Sequence, residues 1–442
     1  MRPGAARAEL GERRRGSPGT FRRVWRHVAI PAVLTTLAAC ARATPAAPSR
    51  PAGADARHTA DASVARVSLG QVESPVLSAT AAWRLIDVDG RLVAQGDSGQ
   101  RLALAPAANG GLRFTTPSGT TRDVRAPLLM STTSHGVVSM GGRRYRGELW
   151  LASADSGVSV VNRVSLEAYL RGVVPRELGV RRLSDRAALE AQAVAARSYA
   201  VVRLGNTSRA YDLVATTSDQ VYGGVDAENA LADAAIAATE GLVLMYEGRV
   251  VSAPYYSTCG GSSAEPAELW RSRNEPFLTR VSDQIPGADR YYCDIAPRFR
   301  WERTWRGDTL TAVVERYLRS YAQVGEGRVG AVRGIVVDGR TPSGRVAAII
   351  VQTNRGDFRV QGNDVRYVLR SPGGELLNST YFSPEAVSAA DGRLARLTLR
   401  GLGYGHGVGM CQWGAIGRAR AGQDFRTILR TYFPGTSVAR AY

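Results

Sequence analysis

One acidic residue, Glu177, is the candidate for the chemistry of this 442-residue chain. It follows Pro175 and precedes an alanine-rich stretch whose helical period turns three polar side chains towards it, namely Gln192, Arg197 and Tyr199. Polar groups beside a partly buried carboxylic acid set its pKa and its position. This pattern indicates general acid and base catalysis, and the plain alternative is a surface glutamate on a loop.

A glycine-rich stretch near the C-terminus, residues 401–414, is the second candidate for chemistry. Glycine at every second position lets the backbone approach a ligand closely. The spacing is not the G-x-G-x-x-G of a dinucleotide-binding loop. His406 has two interpretations: it hydrogen-bonds the loop and holds its shape, or it orients a substrate and tunes the pKa of Glu177. Cys411 reads as a small packing residue.

Short-range signals predict the elements that position Glu177. Ser165 is typical of a helix N-cap, and Gly172 is expected to end that helix, so Glu177 falls on a connecting segment because proline disfavours helix continuation. A second, alanine-rich helix is predicted from residue 184 or 185 to residue 203, with a stop at Gly205. A third is predicted over residues 227–240.

Alternation of apolar and polar residues predicts strands over much of the remaining chain. Residues 75–163 and 242–256 read as β, and further strands are expected at 333–337, 345–353 and 357–360. Helical periodicity returns at residues 308–324. The fold class predicted is therefore α+β, with mixed sheets and alanine-rich helices preceded by a small β-rich unit.

The N-terminus has the features of an export signal. Arginines precede a short apolar run over residues 28–39, which is too brief to span a bilayer stably. The run ends in Leu-Ala-Ala-Cys, with Cys40 placed for lipid attachment. Residues 1–39 are thus predicted to be a lipoprotein-type signal peptide, which implies an exported protein anchored to the membrane of the cell envelope. An ordinary cleaved signal peptide is the alternative, and a spanning anchor is less favoured.

Amino-acid composition predicts the state of the segment after the signal, and net charge indicates the class of partner. Residues 40–74 are rich in Ala, Pro, Arg and Ser, which predicts a disordered tether. The net charge of +18 falls to about +12 without residues 1–39, and every basic residue is Arg or His, with no Lys. An anionic polymer of the envelope is the favoured partner, while nucleic acid conflicts with export. An arginine-biased genome is the alternative explanation.

Two cysteines flank a long loop. In an exported protein such a pair, here Cys259 and Cys293, most often forms a disulfide. Free thiols or a metal-binding pair are the alternatives.

Five motifs occur in the order of the SpoIID family, which includes the amidase-enhancer group. The chain carries Tyr169-Leu170 with Gly172-Val173-Val174, then Glu177 followed by Leu-Gly where the family has Met-Pro. Gln192 to Tyr199, a Gln-Val-Tyr signature at residues 220–222, Ser-Thr-Cys-Gly-Gly at 257–261, and Gly-His-Gly-Val-Gly-Met at 405–410 follow, with Cys411 replacing a serine. The resemblance spans residues 137–442, which are assigned to a SpoIID-like catalytic domain after a β-rich unit at residues 75–136.

The resemblance implies an activity and a site. It implies a lytic transglycosylase that cuts the MurNAc–GlcNAc β-1,4 bond of peptide-denuded peptidoglycan strands and leaves a 1,6-anhydro sugar, with Glu177 as acid and then base. The alternative is a non-catalytic peptidoglycan-binding protein that activates a cell-wall amidase. The implied substrate-binding residues are Gln192, Arg197, Tyr199, Gln220, Tyr222, Ser257, Gly260, Gly261, Tyr404, His406, Gly407, Gly409 and Gln412.

No cofactor and no metal are expected from the family pattern. Some relatives carry zinc ligands near the Gln-Val-Tyr signature, but residues 213–219 contain neither Cys nor His. Zinc sites in proteins are built largely from those two residue types.

Arginine is also considered as a substrate ligand. Removing the stem peptide leaves the lactyl group of MurNAc as a free carboxylate, and Arg197 or Arg176 is expected to pair with it through two hydrogen bonds.

Overall fold

The computed structural model describes residues 64–116, 118–133, 135–325 and 327–442. The predicted signal peptide, Cys40 and residues 40–63 of the predicted tether lie outside these ranges. Within the described residues, no helix is both long and apolar enough to cross a membrane.

A long run of strands precedes the first α-helix, and the later helices are interspersed among mostly antiparallel strands, so the predicted α+β fold class is confirmed. The strands of the first part are β1 (Val64–Val72), β2 (Val76–Ala79), β3 (Trp83–Asp87), β4 (Leu92–Gly96), β5 (Leu102–Pro106), β6 (Leu112–Thr115), β7 (Thr121–Val124), β8 (Leu128–Thr132), β9 (Val138–Met140), β10 (Arg143–Tyr145), β11 (Glu148–Ala154) and β12 (Gly157–Ser165). Those of the second part are β13 (Leu213–Val214), β14 (Leu242–Tyr246), β15 (Arg249–Val250), β16 (Tyr255–Tyr256), β17 (Arg300–Arg306), β18 (Val332–Val337), β19 (Ala348–Thr353), β20 (Gly356–Gln361), β21 (Phe382–Ser388), β22 (Leu394–Leu402), β23 (Met410–Cys411) and β24 (Ser437–Arg440).

The α-helices are interspersed among the strands between residues 166 and 432. They are α1 (Leu166–Leu178), α2 (Arg186–Val201), α3 (Ala230–Ala238), α4 (Pro266–Leu269), α5 (Gly307–Tyr317), α6 (Asp364–Val368), α7 (Gln412–Arg420) and α8 (Phe425–Tyr432). Short 3-10 turns occur at Ala108–Gly110, Leu183–Asp185, Gly224–Ala227 and Leu318–Ser320.

Two large sheets and several helices contribute to the first hydrophobic core. One sheet has the order β13-β1-β12-β11-β8-β3-β4, and the other has the order β10-β9-β2-β5-β6-β7. Alternating side chains of these strands are buried, as expected for sheets with one face on a core. The core continues without interruption into α1, α2, α3, α7 and α8.

The first strand corrects two boundaries expected from sequence. β1 pairs antiparallel with β12 from Val64 opposite Ser165 to Val72 opposite Val158, so residues 64–72 are not part of a tether. Residues on both sides of position 136 are neighbours in the same sheet, because β8 pairs with β11. Residues 75–136 therefore do not form a unit with a separate core. Composition alone missed β1 because its partner strand lies about ninety residues away.

Helix α1 is longer than the sequence predicts. Ser165 caps it as expected, since its hydroxyl accepts the N–H of Ala168 at 3.4 Å. Gly172 does not end it; a Cβ there would lie 2.4 Å from the Tyr222 ring, so the glycine permits close packing inside the helix. The helix runs through Pro175 to Leu178, and Gly179 ends it with φ of +75°. Burial of the apolar face outweighs the local helix-breaking signals.

A second hydrophobic core is inserted between two parts of the first. Strands β17, β22 and β21 form one antiparallel sheet, β18, β19 and β20 form another, and α5 and α6 pack with them. The chain then returns so that β23 pairs in parallel with β16, with Tyr255 opposite Met410 and Tyr256 opposite Cys411. This pairing lays the glycine-rich stretch against residues 257–261, about 150 residues earlier in the chain.

Candidate active site

Glu177 lies in the last turn of α1, not on a connecting segment. Its Oε1 accepts the backbone N–H of Val221 at 2.7 Å. The side-chain amide of Gln412, the first residue of α7, is a second hydrogen-bonding partner of the carboxyl group. The acid is therefore held by the Gln-Val-Tyr signature on one side and by the end of the glycine-rich stretch on the other.

The pKa of Glu177 is raised above its ordinary value of 4.5. Burial is the main cause, since a charged carboxylate loses hydration there. The hydrogen bonds from Val221 and Gln412 favour the charged form and oppose the rise without cancelling it. The group thus keeps its proton to higher pH than a surface glutamate does while remaining partly exposed to solvent, as a general acid requires.

Gln192 lies behind Gln412 and away from solvent. Its Oε1 accepts the Gln412 Nε2–H group at 3.4 Å, and its side chain is fully buried. Its Nε2 has no hydrogen-bond partner among the described residues. This side chain contacts Gln412, and its substrate-binding role stays a prediction.

Two side chains of the Gln-Val-Tyr signature are also interior. Gln220 is fully buried; its Oε1 accepts the Tyr169 hydroxyl at 3.0 Å, and its Nε2 donates to the Tyr255 hydroxyl at 2.9 Å. The Tyr222 hydroxyl donates to Asn162 Oδ1 at 2.8 Å. These contacts fix the segment whose Val221 N–H meets Glu177, and the substrate-binding role of the two residues stays a prediction.

Arg197 is the largest correction to the predicted site. Its side chain has no exposed surface, and it makes a bidentate pair with Glu167, with Nε to Oε1 and Nη2 to Oε2 both at 2.7 Å. Its Nη1 donates to the Leu242 carbonyl at 3.0 Å. A cation already paired in the interior does not meet a polymer, so Arg197 stabilises the packing of α1 and α2 rather than binding glycan.

Tyr199 is part-exposed but occupied. Its hydroxyl donates to Asp219 Oδ1 at 2.9 Å, and Arg203 Cζ lies 3.4 Å from its ring centroid. Asp219 Oδ2 also accepts the Val214 N–H at 2.9 Å. This arrangement anchors the segment before Val221, and the substrate-binding role of Tyr199 stays a prediction.

His406 holds the glycine-rich loop. Its Nδ1 accepts the Val408 N–H at 3.2 Å, which leaves Nε2–H to donate to the Tyr255 carbonyl at 2.9 Å. Burial, followed by the charge of Arg366, lowers its pKa to about 3. Both ring nitrogens are used and the ring is neutral. This favours the interpretation in which His406 holds the shape of the loop.

The glycines of the loop approach the protein's own backbone and side chains. A Cβ at Gly409 would lie 2.1 Å from the Pro254 carbonyl oxygen, and one at Gly407 would lie 2.7 Å from Arg345 Nε. Gly260 and Gly261 are likewise buried, against Leu402 and Tyr291. These four glycines therefore permit close internal packing, and their contact with substrate stays a prediction.

Two predicted residues keep exposed surface near this loop. Ser257 is part-exposed, and its carbonyl accepts the Trp413 N–H at 3.0 Å. Tyr404 is also part-exposed, and Arg298 Cζ lies 4.4 Å from its ring centroid. Their contact with substrate stays a prediction.

One cation–aromatic pair includes an arginine, Arg181, that the sequence did not single out. Arg181 follows the end of α1, where its Nε donates to the Leu178 carbonyl at 2.6 Å. Its Cζ lies 4.8 Å from the ring centroid of Trp413, the neighbour of Gln412. A cation stacked on an aromatic ring thus joins the chain just after α1 to the residue that follows Gln412. The signal was weak because Arg181 is one of many arginines and pairs with a residue 232 positions later.

A large cleft lies elsewhere. It has a volume of about 1670 Å³ and is lined by residues of the second core and by the segment around Trp270. Glu177 is not among its lining residues. The candidate site is therefore the acid and its partners, because the volume of a cleft does not by itself indicate a reaction.

The predicted disulfide is not formed. Cys259 and Cys293 are free thiols whose Sγ atoms lie 3.2 Å apart, and Cys411 is a third buried free thiol beside them. The sequence placed the first two together correctly but did not indicate that Cys411 and Asp283 join them.

Comparisons with known proteins give the family. Residues 154–246 match the model of the stage II sporulation protein family, SpoIID, and residues 287–409 match a domain of unknown function, DUF8618. The chain is 30% identical to an uncharacterized protein of Brachyspira hyodysenteriae over 302 residues, which cover 68% of this chain and 73% of the relative. It is 28% identical to stage II sporulation protein D of Bacillus subtilis over 64% of this chain and 76% of that protein.

The amidase enhancer of Bacillus subtilis is 29% identical over 291 residues. The match covers 61% of this chain but only 40% of the length of that relative. The family-model match at residues 154–246 includes Glu177 and Val221. The chain belongs to the SpoIID family.

Proposed function

We propose that this protein is a lytic transglycosylase that cleaves the MurNAc–GlcNAc β-1,4 bond of peptide-denuded peptidoglycan strands. The observation that supports it is Glu177, a partly exposed carboxyl group whose pKa is raised by burial and whose position is fixed by Val221 and Gln412. A protonated carboxylic acid held in place is what protonation of a glycosidic oxygen requires.

The proposed reaction uses this acid twice. Glu177 gives its proton to the glycosidic oxygen as the bond from C1 of MurNAc to that oxygen breaks. The C6 hydroxyl of the same MurNAc then forms the bond to C1 and gives its proton to the Glu177 carboxylate. The products are a shortened strand and a 1,6-anhydro end, no water is consumed, and the acid returns to its starting state.

The surroundings of Glu177 favour this reaction over hydrolysis. Most glycosidases use a second carboxylate as base or nucleophile. Asp219, the acid on the neighbouring segment, already accepts hydrogen bonds from the Tyr199 hydroxyl and the Val214 N–H and lies 3.6 Å from Arg203. A substrate hydroxyl therefore serves as the nucleophile in the proposal.

The substrate is a polyanion once its stem peptides are removed, because each lactyl group becomes a carboxylate. Arg197 is not available to pair with it. Arg176 precedes the acid in the sequence and is exposed, and Arg181 follows the acid and lies against the ring of Trp413. We assign the lactyl carboxylate to these two arginines, which suit bidentate pairing with a carboxylate.

The direct test is product analysis. The purified protein is incubated with amidase-treated peptidoglycan, and products are identified by mass spectrometry, with Glu177→Gln as the matched control. The expected result is 1,6-anhydro-MurNAc ends from the native protein and none from the variant. Hydrolytic, reducing ends or equal products from both proteins would contradict the proposal.

Activation of a cell-wall amidase is the second candidate, because one relative is named amidase enhancer. This function needs binding but no proton transfer. An assay of amidase turnover with added native protein or Glu177→Gln separates the two: equal stimulation by both proteins, without anhydro products, would favour the activator.

We also propose that the protein is an exported lipoprotein attached through Cys40, on the sequence of residues 1–40. Metabolic labelling with palmitate should mark the native chain and not Cys40→Ser. Labelling of both would overturn the anchor.

A further inference from the structure

Four buried side chains converge on one point away from Glu177. They are Cys259, Asp283, Cys293 and Cys411, and their ligand atoms, three Sγ and one carboxylate oxygen, all lie within 4.8 Å of one another. The Cys259 Sγ is 3.2 Å from the Cys293 Sγ and 3.4 Å from Asp283 Oδ2. Asp283, Cys293 and Cys411 have no exposed surface, and Cys259 is 1% exposed.

Other groups orient these donors. Asp283 Oδ1 accepts the Tyr432 hydroxyl at 2.6 Å and the Arg418 Nη2–H at 3.0 Å, so Oδ2 is the oxygen left to face the sulfurs. Backbone N–H groups point at two of the sulfurs: that of Gly261 at Cys259 Sγ, at 3.4 Å, and that of Gly414 at Cys411 Sγ, at 3.2 Å. Hydrogen bonds of this kind fix the direction of metal ligands and stabilise their charge.

We propose that these four side chains form a structural site for a thiophilic divalent cation, with zinc as the first candidate. Three thiolates and one carboxylate supply the ligand types and the number that a closed tetrahedral zinc site uses. In such a site the sulfurs stand about 3.8 Å apart, given zinc–sulfur bonds of about 2.3 Å, so the cation requires the Cys259 and Cys293 sulfurs to separate by only a fraction of an ångström. Binding displaces the protons of the thiols to solvent.

The geometry favours a cation over a disulfide between Cys259 and Cys293. A disulfide uses two of the four donor atoms. It gives no role to the other two, the Cys411 sulfur and Asp283 Oδ2, which lie beside it. The zinc ligands of some relatives correspond to residues 213–219, whereas this cluster is built from three other segments of the chain. All four protein donors are enclosed, so the site leaves no position for a substrate and its role is structural.

The site ties together three parts of the chain: the turn at 259–261, the loop at 283–293, and the start of α7. Cys411 is the N-cap of α7, where its Sγ accepts the Gly414 N–H. Gln412, the next residue, hydrogen-bonds Glu177. A bound cation thus fixes the start of α7, the helix that presents Gln412. Only the link from this helix start to the catalytic role of Glu177 rests on the proposed function.

Metal content of the full-length chain is the first measurement. Protein purified without added metal or chelator is expected to hold about one zinc per chain by elemental analysis. Asp283→Asn should lower this ratio several-fold after dialysis. The matched control is Asp185→Asn, which also removes a buried carboxylate paired with an arginine, Arg420, but lies outside the cluster; it should keep the native ratio.

Thiol counting on the native protein separates the cation from the disulfide without any variant. In denaturant with chelator and no reductant, the metal form shows Cys259, Cys293 and Cys411 all reactive, whereas a disulfide form shows two fewer thiols. Exchange with cobalt(II) adds a spectroscopic test: thiolate-to-cobalt charge transfer and visible absorption typical of tetrahedral coordination are expected. Two missing thiols, no metal in the native chain, or no such absorption with added cobalt(II) would overturn the proposal.

Discussion

Glu177 and the cluster of Cys259, Asp283, Cys293 and Cys411 both lie among the elements of the first core, but their surroundings differ. Glu177 stays partly exposed, with Val221 and Gln412 as its donors. The cluster is enclosed, and Oδ1 of Asp283 already accepts hydrogen bonds from Tyr432 and Arg418. Gln412 and Cys411 are consecutive residues, so one helix start serves both.

The difference indicates separate tasks. A group that exchanges protons with a substrate needs access to it and a pKa near the working pH. A group that holds segments together needs enclosure and full hydrogen bonding, because an unpaired buried charge is strongly destabilising. Changes at Glu177 should therefore affect turnover, and changes around Asp283 should affect stability.

The largest effect is expected from Glu177→Gln. The amide cannot donate a proton as the acid does, so cleavage of denuded strands should fall by about 10²- to 10⁴-fold. Its carbonyl oxygen still accepts the Val221 N–H, so the free energy of unfolding should change little. Initial rates of anhydro-product release, together with urea denaturation, measure both; a variant that unfolds more easily but cleaves normally would reverse the comparison.

The next effect is expected from Arg418→Met. This change leaves Asp283 buried beside the cysteines without the positive charge of Arg418. It should lower the free energy of unfolding by about 3 kcal/mol. The control is Arg400→Met, where an exposed arginine pairs with Glu302 and Glu385 in the second core, and little change is expected. Equal losses in urea denaturation would show that burial of the Asp283 pair has no special weight.

A smaller effect is expected from Gln412→Leu. The hydrogen bond from Gln412 favours the charged form of Glu177, so its loss should raise the pKa of Glu177 further. The limb of the rate profile on which activity falls with rising pH should then move to higher pH. A profile of kcat/KM against pH for both proteins tests this, and movement to lower pH would contradict the assigned contact.

The smallest effect is the pH dependence of stability. Because the pKa of Glu177 is raised on folding, the folded state binds more protons than the unfolded state between pH 4.5 and the raised pKa. Stability from this group is therefore present below that window and declines as pH rises through it. Urea denaturation across pH measures the free energy of unfolding of the native protein and of Glu177→Gln. The native value minus the variant value should decline as pH rises, since the other titrating groups are common to both proteins. A difference that grows with pH would contradict a raised pKa of Glu177.

Short-range features were predicted well. The Ser165 cap, the alanine-rich helix after residue 185 and the alternating strands all follow from hydrogen bonds or periodicity within a few residues. The predictions for Gly172 and for residues 64–72 failed because close packing on Tyr222 and pairing with β12 outweighed local preference.

The sequence by itself determined the family, the identity of the acid and most of the elements that carry it, because these reside in motifs and patterns a few residues long. Tertiary structure decided which polar side chains reach Glu177, that Arg197 is enclosed with Glu167, and that Cys411 joins Cys259 across 152 residues. Residue types along a chain do not state which distant segments meet. That depends on how two cores bury their apolar surface together, and the buried polar groups must then find partners wherever the packing places them.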